Sequence, residues 1–362
     1  MTAGVLDDGV HLLVTGGSGF LGSNIVVDVR RRYPRWKITV LDQNAPSPET
    51  MDHTDEFVSA DVSSAESVSQ AFSKIGAIDI VLHAAGVIPA RKLRYSTDEL
   101  QWERVKAINY SGAQNIVSAI MASNCRRLVY TSSCTVVADD LKHDYHNVDE
   151  TVQTGLAMLH YGRSKILAEQ HVLSPSHRSK GLKACALRPC TIIGEGDTAV
   201  ISVMHDLIAK GETNFIVGDG YNMCDFMYIS NAVDAHILAI ENLLTTETAA
   251  GEVFFISNDE PVYFWDFLAF LWAQFGHVPR WKIYIPAAVA YFVGVILEWI
   301  TLLTGTESTL DTGSVQDGIR TQYADISKAK EVLGYVPRVG ISEGLRRSCE
   351  AYKRHLAANE KR

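Results

Sequence analysis

The sequence lacks the features that mark several large classes of protein. Its 362 residues carry a net charge of −9 at pH 7. They therefore offer no basic surface for nucleic acid, and no nucleic-acid partner is expected. The six cysteines form no CxxC pair and show no metal-ligand spacing, which favours free thiols, a reducing compartment and no metal site. Residues 1–10 are acidic and show no signal-peptide pattern.

Short apolar runs alternate with helical patterns through the first half of the chain. This alternation predicts an α/β fold, a Rossmann-type doubly wound parallel sheet with a smaller C-terminal substrate lobe. We expect residues 1–191 to form the dinucleotide-binding domain with the catalytic residues, and 192–362 to form mainly the substrate-binding lobe. The predicted strands are 11–15, 37–41, 57–61, 78–82, 127–131 and 183–187, and the predicted helices of this half are 20–32, 67–75, 100–123 and 161–173.

A glycine-rich turn, TGGSGFLG at 15–22, lies between the first predicted strand and the first predicted helix. Its glycines let the turn close, let the backbone approach a pyrophosphate and let the helix pack on the strand. The helix N-terminus then presents free N–H groups to the phosphates. The residues expected to contact the cofactor here are Gly16, Ser18, Gly19, Phe20, Leu21 and Gly22.

Asp42 ends the second predicted strand, twenty positions after Gly22. A carboxylate at this place accepts hydrogen bonds from the adenosine ribose and repels a 2′-phosphate. The next residue is Gln43 rather than an arginine, so NAD is favoured over NADP. Asp61 and Val62, after the third predicted strand, are further candidates for contact with the adenine ring.

Tyr161 and Lys165 are four residues apart on a predicted helix and therefore share one face. A lysine beside a tyrosine lowers a phenol pKa that ordinarily lies near ~10, so we expect Tyr161 to accept a proton from an alcohol near neutral pH. Ser133 follows the fifth strand, where α/β sheets bind ligands, and Ser132 is the competing candidate. Asn109 is expected either to tie backbone and water to Lys165 or to be a polar packing residue.

The long apolar segment at 283–303 is unusual for a soluble protein. It has about the ~20 residues that a bilayer-spanning helix needs, and Trp281 and Trp299 bracket it as aromatics do at membrane interfaces. Pro286 and Glu298 argue against a simple span, since a charge at that depth is costly. An interfacial helix, a single span and a buried soluble helix all remain open.

Taken in order, these motifs resemble the extended short-chain dehydrogenase/reductases over nearly the whole chain. The resemblance implies a Rossmann fold that binds NAD, and it adds Ala84, Ala85, Gly86 and Pro189 to the cofactor site, which Tyr161 and Lys165 also contact. The motifs that carry it are TGGSGFLG at 15–22, Asp42, HAAG at 83–86, Asn109, TSS at 131–133, YGRSK at 161–165, LRP at 187–189, DISKA at 325–329 and LGYVP at 333–337.

The second half of the chain narrows this resemblance. Residues 218–226 are similar to a segment where nucleotide-sugar epimerases carry a diphosphate-binding arginine, but this chain has Cys224, a poor anion partner. Residues 258–267 and the apolar segment resemble the 3β-hydroxysteroid dehydrogenase branch. Within that branch the chain most resembles the sterol-4α-carboxylate 3-dehydrogenases (decarboxylating).

This resemblance implies NAD-dependent oxidation of a sterol or triterpenoid 3β-hydroxyl, with loss of a C4 carboxylate. Tyr161 would take the hydroxyl proton, Ser133 would hold the oxygen and Lys165 would keep Tyr161 acidic. It further implies a sterol-like substrate and the endoplasmic reticulum membrane, with the catalytic domain facing the cytosol, and it allows a homodimer. The alternatives are a 3β-hydroxysteroid dehydrogenase/isomerase, a tailoring dehydrogenase for another apolar alcohol, a nucleotide-sugar epimerase and a non-catalytic NAD-binding protein.

Overall fold

The computed structural model describes residues 6, 9–96, 98–197, 199–304 and 310–359. Residues 1–5 and 7–8, within the stretch that shows no signal-peptide pattern, lie outside the described residues. The strands of the described part are β1 His11–Thr15, β2 Lys37–Asp42, β3 Glu56–Ser59, β4 Ile80–His83, β5 Arg127–Thr131, β6 Tyr145–Val148, β7 Lys183–Pro189, β8 Thr191–Ile193, β9 Phe215–Val217, β10 Met223–Cys224, β11 Phe226–Tyr228, β12 Val253–Ile256, β13 Val262–Tyr263, β14 Ile283–Ile285 and β15 Gln322–Ala324.

The helices lie mostly between these strands, and π-helical turns occur at Ala107–Ser111 and Ala329–Leu333. The α-helices of the described part are α1 Phe20–Arg32, α2 Pro48–Met51, α3 Ala65–Ile75, α4 Arg91–Arg94, α5 Glu99–Lys106, α6 Gly112–Ala122, α7 Thr135–Ala138, α8 His160–Val172, α9 Pro175–Ser179, α10 Ile201–Ala209, α11 Ile229–Leu244, α12 Phe264–Gln274, α13 Ala287–Thr304, α14 Thr312–Ile319 and α15 Ile341–Asn359.

A parallel sheet of seven strands forms the centre of the fold, in the order β12-β7-β5-β4-β1-β2-β3. Strands β1 and β4 are wholly buried, as expected for strands covered on both faces. The predicted doubly wound parallel sheet is confirmed, and so are its six predicted strands to within two or three residues at each end. The seventh strand, β12, was not predicted.

Helix α1 has the bounds that the sequence predicts. Its residues Ile25, Val26 and Val29 are spaced to form one apolar stripe and are fully buried. Three arginines occupy its last turn, where they complement the negative end of the helix dipole. The glycine turn before α1 is thereby fixed against the end of β1.

The helix predicted over 100–123 is confirmed as a continuous helical stretch from Glu99 to Ala122, but a π-helical turn that the sequence did not predict interrupts its α-helical hydrogen bonding. Helix α5 begins after Asp98, whose Oδ1 accepts a hydrogen bond from Leu100 N at 3.3 Å. The π-helical turn Ala107–Ser111 then separates α5 from α6. This turn holds Asn109 with only 1% of its surface exposed, and such π-bulges often occur at functional positions.

The two halves of the chain exchange strands. β12, from the second half, pairs with β7 and completes the central sheet. β6, from the first half, joins a small sheet of order β13-β10-β15-β6, which is otherwise built from the second half. The predicted boundary at residue 191 therefore does not divide the sheets. That residues 1–191 bind the dinucleotide and 192–362 bind mainly the substrate stays a prediction.

The apolar segment forms strand β14 and helix α13. No helix in the described residues is both long enough and apolar enough to cross a membrane, so the single-span alternative finds no support. Glu298, which argued against a span, accepts hydrogen bonds from Thr312 N at 2.7 Å and Thr312 Oγ1 at 2.6 Å. The carboxylate therefore faces the first turn of α14.

The six cysteines are free thiols, as the sequence predicts. Five of them are buried and Cys134 is half-buried. Burial raises the pKa of the Cys185 and Cys224 thiols to about 12, so both remain neutral at physiological pH.

Candidate active site

A cavity of about 1180 Å³ opens at the carboxyl edge of the central sheet. It is larger than the ~300–1,000 Å³ of ordinary small-molecule pockets, so a cofactor and a substrate can share it. Its polar lining comes from the glycine turn, from Asp42 and from the residues that follow β4, β5 and β7. This is the edge at which doubly wound sheets bind ligands.

The glycine turn fits a dinucleotide pyrophosphate. Gly16 has a φ of +73°, and a Cβ there would lie 2.6 Å from Cα of Ala85. A Cβ on Gly22 would lie 2.2 Å from the Gly16 carbonyl oxygen. Side chains at either position would therefore break the packing of turn, strand and helix. Ser18 and Gly19, together with the first turn of α1, line the cavity from this side.

Asp42 lies beside this turn and fits the ribose-binding position. Its Oδ2 accepts a hydrogen bond from Ser18 N at 3.2 Å, and its Oδ1 accepts one from Asn44 N at 3.0 Å. The carboxylate is half-buried and lines the cavity. The Asp42 carboxylate can accept hydrogen bonds from the ribose of NAD, whose pyrophosphate fits the glycine turn. Its negative charge disfavours a cofactor with a 2′-phosphate.

The other predicted cofactor residues divide into two groups. Val62 lines the cavity, as do Ala84, Ala85, Gly86 and Pro189. Asp61 is outside this lining, and its Oδ1 accepts hydrogen bonds from Ser63 N at 2.8 Å and Ser63 Oγ at 2.7 Å. The structure thus brings Val62 to the site and assigns the Asp61 carboxylate to a turn.

Tyr161 and Lys165 lie on α8 and both line the cavity. Lys165 Nζ lies 5.8 Å from the centre of the Tyr161 ring and donates a 2.9 Å hydrogen bond to the Thr131 carbonyl. That carbonyl ends β5, so the lysine ties the catalytic helix to the sheet. Both side chains are buried.

The pKa of Tyr161 differs from the expectation. Burial raises it above its ordinary value, although a hydrogen bond from Ser133 acts in the opposite direction. Burial also lowers the pKa of Lys165 to about 8. The pKa shift of Tyr161 is thus opposite in direction to the expectation, because desolvation outweighs the Ser133 hydrogen bond and the Arg94 charge, both of which lower this pKa.

The structure distinguishes the two candidate serines. Ser132 Oγ donates a 2.6 Å hydrogen bond to Glu169 Oε2, which is itself paired with Arg188. Ser133 Oγ accepts a 3.2 Å hydrogen bond from Thr135 N and lies beside Tyr161. Ser133 therefore has the position expected of the residue that contacts a substrate oxygen.

Asn109 holds the loop after β4 beside the catalytic helix. Its Oδ1 accepts from Val87 N at 2.8 Å, and its Nδ2 donates to Val87 O and Ser164 Oγ at 3.0 Å each. A Cβ on Gly86 would lie 3.2 Å from Asn109 Oδ1 and 3.3 Å from Lys165 Nζ. Asn109 and Lys165 thus meet at this glycine, although Asn109 bonds to backbone and Ser164 rather than to Lys165.

The remaining lining is largely apolar. It contains Cys224 in place of the anion-binding arginine of similar nucleotide-sugar epimerases, and burial raises the pKa of this thiol to about 12. This part of the lining suits a large apolar ligand, and Cys224 itself supplies no cation for a diphosphate. The larger apolar side chains here are Val203, Met204, Leu207, Phe226, Phe255, Phe264, Trp265, Leu268, Trp272 and Ile285.

Two ion pairs with buried carboxylates lie next to the site, and the sequence did not predict them. Glu169 and Arg188 form a bidentate pair at 2.6 and 3.0 Å. Asp139 accepts from Arg94 Nη2 at 2.7 Å, and its Oδ2 accepts from Gly162 N at 2.8 Å near the start of α8. The spacing of Glu169, four residues after Lys165, was the available signal, since both fall on one helix face.

Comparisons with known proteins agree with this geometry. The model of the 3-beta hydroxysteroid dehydrogenase/isomerase family matches residues 13–287. The sterol-4-alpha-carboxylate 3-dehydrogenase, decarboxylating, of Schizosaccharomyces pombe is 35% identical over 336 residues, which cover 92% of this chain and 94% of that protein. Its Saccharomyces cerevisiae counterpart is 31% identical and covers 93% and 96%.

Solved structures of similar fold include nucleotide-sugar enzymes. UDP-glucose 4-epimerase from Thermotoga maritima, with UDP-glucose, has a TM-score of 0.72 at 22% identity and covers 96% of this chain and all of that one. UDP-glucuronic acid 4-epimerase from Bacillus cereus, in complex with NAD, has a TM-score of 0.70 at 19% identity, with 96% and 99% coverage. At these identities the likeness establishes the fold.

Proposed function

We propose, because the chain belongs to the 3-beta hydroxysteroid dehydrogenase/isomerase family, that it oxidises the 3β-hydroxyl of a sterol-like substrate with NAD and removes a carboxylate from C4. The names of two relatives support it, since each is a sterol-4-alpha-carboxylate 3-dehydrogenase, decarboxylating. The observation that carries the proposal is the lining of one cavity, which combines Tyr161, Ser133 and Lys165 with a broad apolar wall.

The oxidation uses three side chains. When bound, NAD supplies the acceptor for the hydride that leaves C3. Tyr161, as its phenolate, takes the hydroxyl proton, and the Ser133 hydroxyl donates to the same oxygen and orients it. The Lys165 ammonium, whose Nζ lies 5.8 Å from the Tyr161 ring centre, stabilises the phenolate and offsets part of its desolvation.

The decarboxylation follows from the product of that step. A C3 ketone next to a carboxylated C4 is a β-keto acid, so the bond from C4 to the carboxylate carbon breaks and its electron pair moves to the C3 oxygen. In this proposal the Tyr161 and Ser133 hydroxyls donate hydrogen bonds to this enolate oxygen. Carbon dioxide leaves, and a proton added at C4 completes the ketone product.

The same function implies contact with a membrane surface, because a sterol-like substrate dissolves in lipid. Helix α13 supports this with a row of exposed apolar side chains, and Glu298 is turned to α14 instead of outward. A helix of this kind rests in the membrane interface. We place the protein on the endoplasmic reticulum membrane with its catalytic cavity on the cytosolic side. The exposed side chains are Val289, Tyr291, Phe292, Val293, Ile296, Trp299, Ile300 and Leu303.

The test is a panel of sterol 3β-alcohols with and without a C4 carboxylate. We expect purified protein to form NADH with the carboxylated alcohol and to release carbon dioxide in equal amount. Tyr161→Phe removes the base while it keeps the ring, and should lower the rate by about 10²- to 10⁴-fold, the usual contribution of a general base.

Three outcomes would count against the proposal. Carbon dioxide without NADH would separate the decarboxylation from the oxidation. NADH without carbon dioxide would indicate a plain 3β-dehydrogenase. Turnover by Tyr161→Phe at a near wild-type rate would remove Tyr161 from its role. A UDP-sugar supplied in place of the sterol should give no product, because its polar nucleotide and sugar do not suit the apolar wall and Cys224 provides no cation beside it.

A further inference from the structure

Three cationic side chains line the cavity in the part of the chain that the structure describes: Arg94, Lys165 and Arg188. Lys165 donates a hydrogen bond to the Thr131 carbonyl and lies beside the Tyr161 ring. Arg188 is 4% exposed and its Nε and Nη2 are held by Glu169. The Arg94 side chain keeps 22% of its surface exposed, so it is the cation that a ligand in the cavity can still reach.

Arg94 is held in place from one side. Its Nη2 and Nη1 donate to the two Asp139 carboxylate oxygens at 2.7 and 3.4 Å, and Asp139 is wholly buried. Asp317 Oδ2 lies 3.7 Å from Nη2 and accepts a 2.9 Å hydrogen bond from Tyr95. Among the described residues, none accepts a hydrogen bond from Arg94 Nε. A guanidinium has five N–H donors, so donors remain for a further anion.

Arg94 lies near Tyr161, so an anion bound by Arg94 would lie near the reacting part of the substrate. Asp139 joins Arg94 to the backbone N–H of Gly162, the residue after Tyr161. The Arg94 charge is also close enough to lower the pKa of Tyr161, against the larger effect of burial. Since Tyr161 holds the C3 oxygen, a substituent on the adjacent C4 lies in the same region of the cavity.

From this placement we infer that Arg94 recognises the C4 carboxylate of the substrate and makes the enzyme select carboxylated over carboxyl-free 3β-alcohols. The inference rests on the proposed function. Charge-assisted hydrogen bonds from a guanidinium to a carboxylate are strong and directional. The carboxylate is present before and during hydride transfer, so this contact lowers KM more than it raises kcat.

The experiment compares kcat/KM for two sterol 3β-alcohols that differ only in the C4 carboxylate. In Arg94→Met the preference for the carboxylated alcohol should fall roughly tenfold to a hundredfold, as expected for a lost charged hydrogen bond. The fall should appear mainly as a higher KM. Arg94→Lys keeps the charge and should recover part of the preference. Arg104→Met removes an exposed arginine of α5 and should leave the preference unchanged.

Loss of Arg94 alone leaves Asp139 buried without its cation, so a second variant guards against misfolding. Arg94→Met/Asp139→Asn removes the ion pair together and keeps an oxygen to accept from Gly162 N; it should show the same loss of preference. If both variants lose activity equally on the two alcohols, or keep the wild-type preference, the inference is wrong. A wild-type protein that oxidises neither alcohol would instead overturn the proposed function, and this inference with it.

Discussion

Ser132 donates a 2.6 Å hydrogen bond to Glu169, whereas its neighbour Ser133 lies beside Tyr161. Two hydroxyls that follow one strand therefore have different surroundings. The first completes a buried ion pair between Glu169 and Arg188, and the second is available to a substrate. The two serines therefore differ in the role that we propose for each: Ser132 stabilises the ion pair, and Ser133 contacts the substrate oxygen.

We expect Ser133→Ala to lower kcat by about 10²- to 10³-fold, the usual effect of removing one donor to a developing oxyanion, with little change in the free energy of unfolding. Ser132→Ala is the matched control. It should keep most of the activity and lose about 1–3 kcal/mol of stability, because a hydrogen bond to a buried charge is removed. Steady-state kinetics and urea unfolding of both variants measure this. The reverse pattern would exchange the two roles.

The rate of alcohol oxidation should depend on pH through the pair Tyr161 and Lys165. One proton must leave the pair before Tyr161 can act as a base. The pair as a whole loses this proton near pH 8, where burial places the pKa of Lys165, and in the active form the remaining proton resides on Lys165 while Tyr161 is the phenolate. The kcat/KM for oxidation should therefore rise with pH up to about 8 and then level off, as for two coupled groups.

Lys165→Met tests whether the pair Tyr161 and Lys165 causes the rise in kcat/KM up to about pH 8. Without the lysine, the proton must come from Tyr161 itself, so the residual rate should be low and should continue to rise above pH 8. A plateau that stays near pH 8 in this variant would mean that another group controls the profile. Thermal unfolding across the same pH range shows whether the fold is intact.

Asp42→Asn should weaken NAD binding and relax the choice of cofactor. The carboxylate is expected to accept hydrogen bonds from the ribose and to repel a 2′-phosphate. We expect the KM for NAD to rise by roughly tenfold to a hundredfold, and the preference for NAD over NADP to fall. Glu49→Gln, an exposed acid on α2, is the control for lost negative charge. Unchanged cofactor preference in Asp42→Asn would place the ribose elsewhere.

Substitution of the exposed aromatic side chains of α13 should weaken membrane association without unfolding the protein. Phe292 and Trp299 are 65% and 64% exposed, so Phe292→Ser and Trp299→Ser remove apolar surface that packs on little protein. We expect roughly a tenfold weaker affinity for phosphatidylcholine vesicles from each change, measured by co-flotation. Leu100→Ser, at a position 74% exposed on α5, is the control. Equal flotation of all variants would argue against this face.

Local sequence patterns predict the parts of this fold that depend on neighbouring residues. Helix α1 follows from its apolar stripe and its basic last turn, and the glycine turn follows from its place between a strand and a helix. The order of the site motifs along the chain brings Ser133 and Tyr161 to the same sheet edge. These features are set by short-range chemistry, which the sequence displays directly.

The features that the sequence did not predict depend on distant partners. β6 reads Tyr-His-Asn-Val and pairs with β15, more than 170 residues later, and such pairing leaves no local pattern. Arg94, Asp139, Glu169 and Arg188 look like surface charges, because charged residues are seldom buried unless paired. The predicted lowering of the Tyr161 pKa was wrong, because burial in the packed cavity raises this pKa. The four-residue spacing to Lys165 contains no information about that burial.

The exchange of strands between the halves affects how the protein can come apart. Cutting the chain after residue 191 would leave one fragment without the edge strand β12 and the other without β6. Neither fragment then carries a complete sheet, so we expect the two to fold only together. The catalytic cavity consequently forms and disappears as one cooperative unit, and proteolytic nicking at this junction should release no stable nucleotide-binding core.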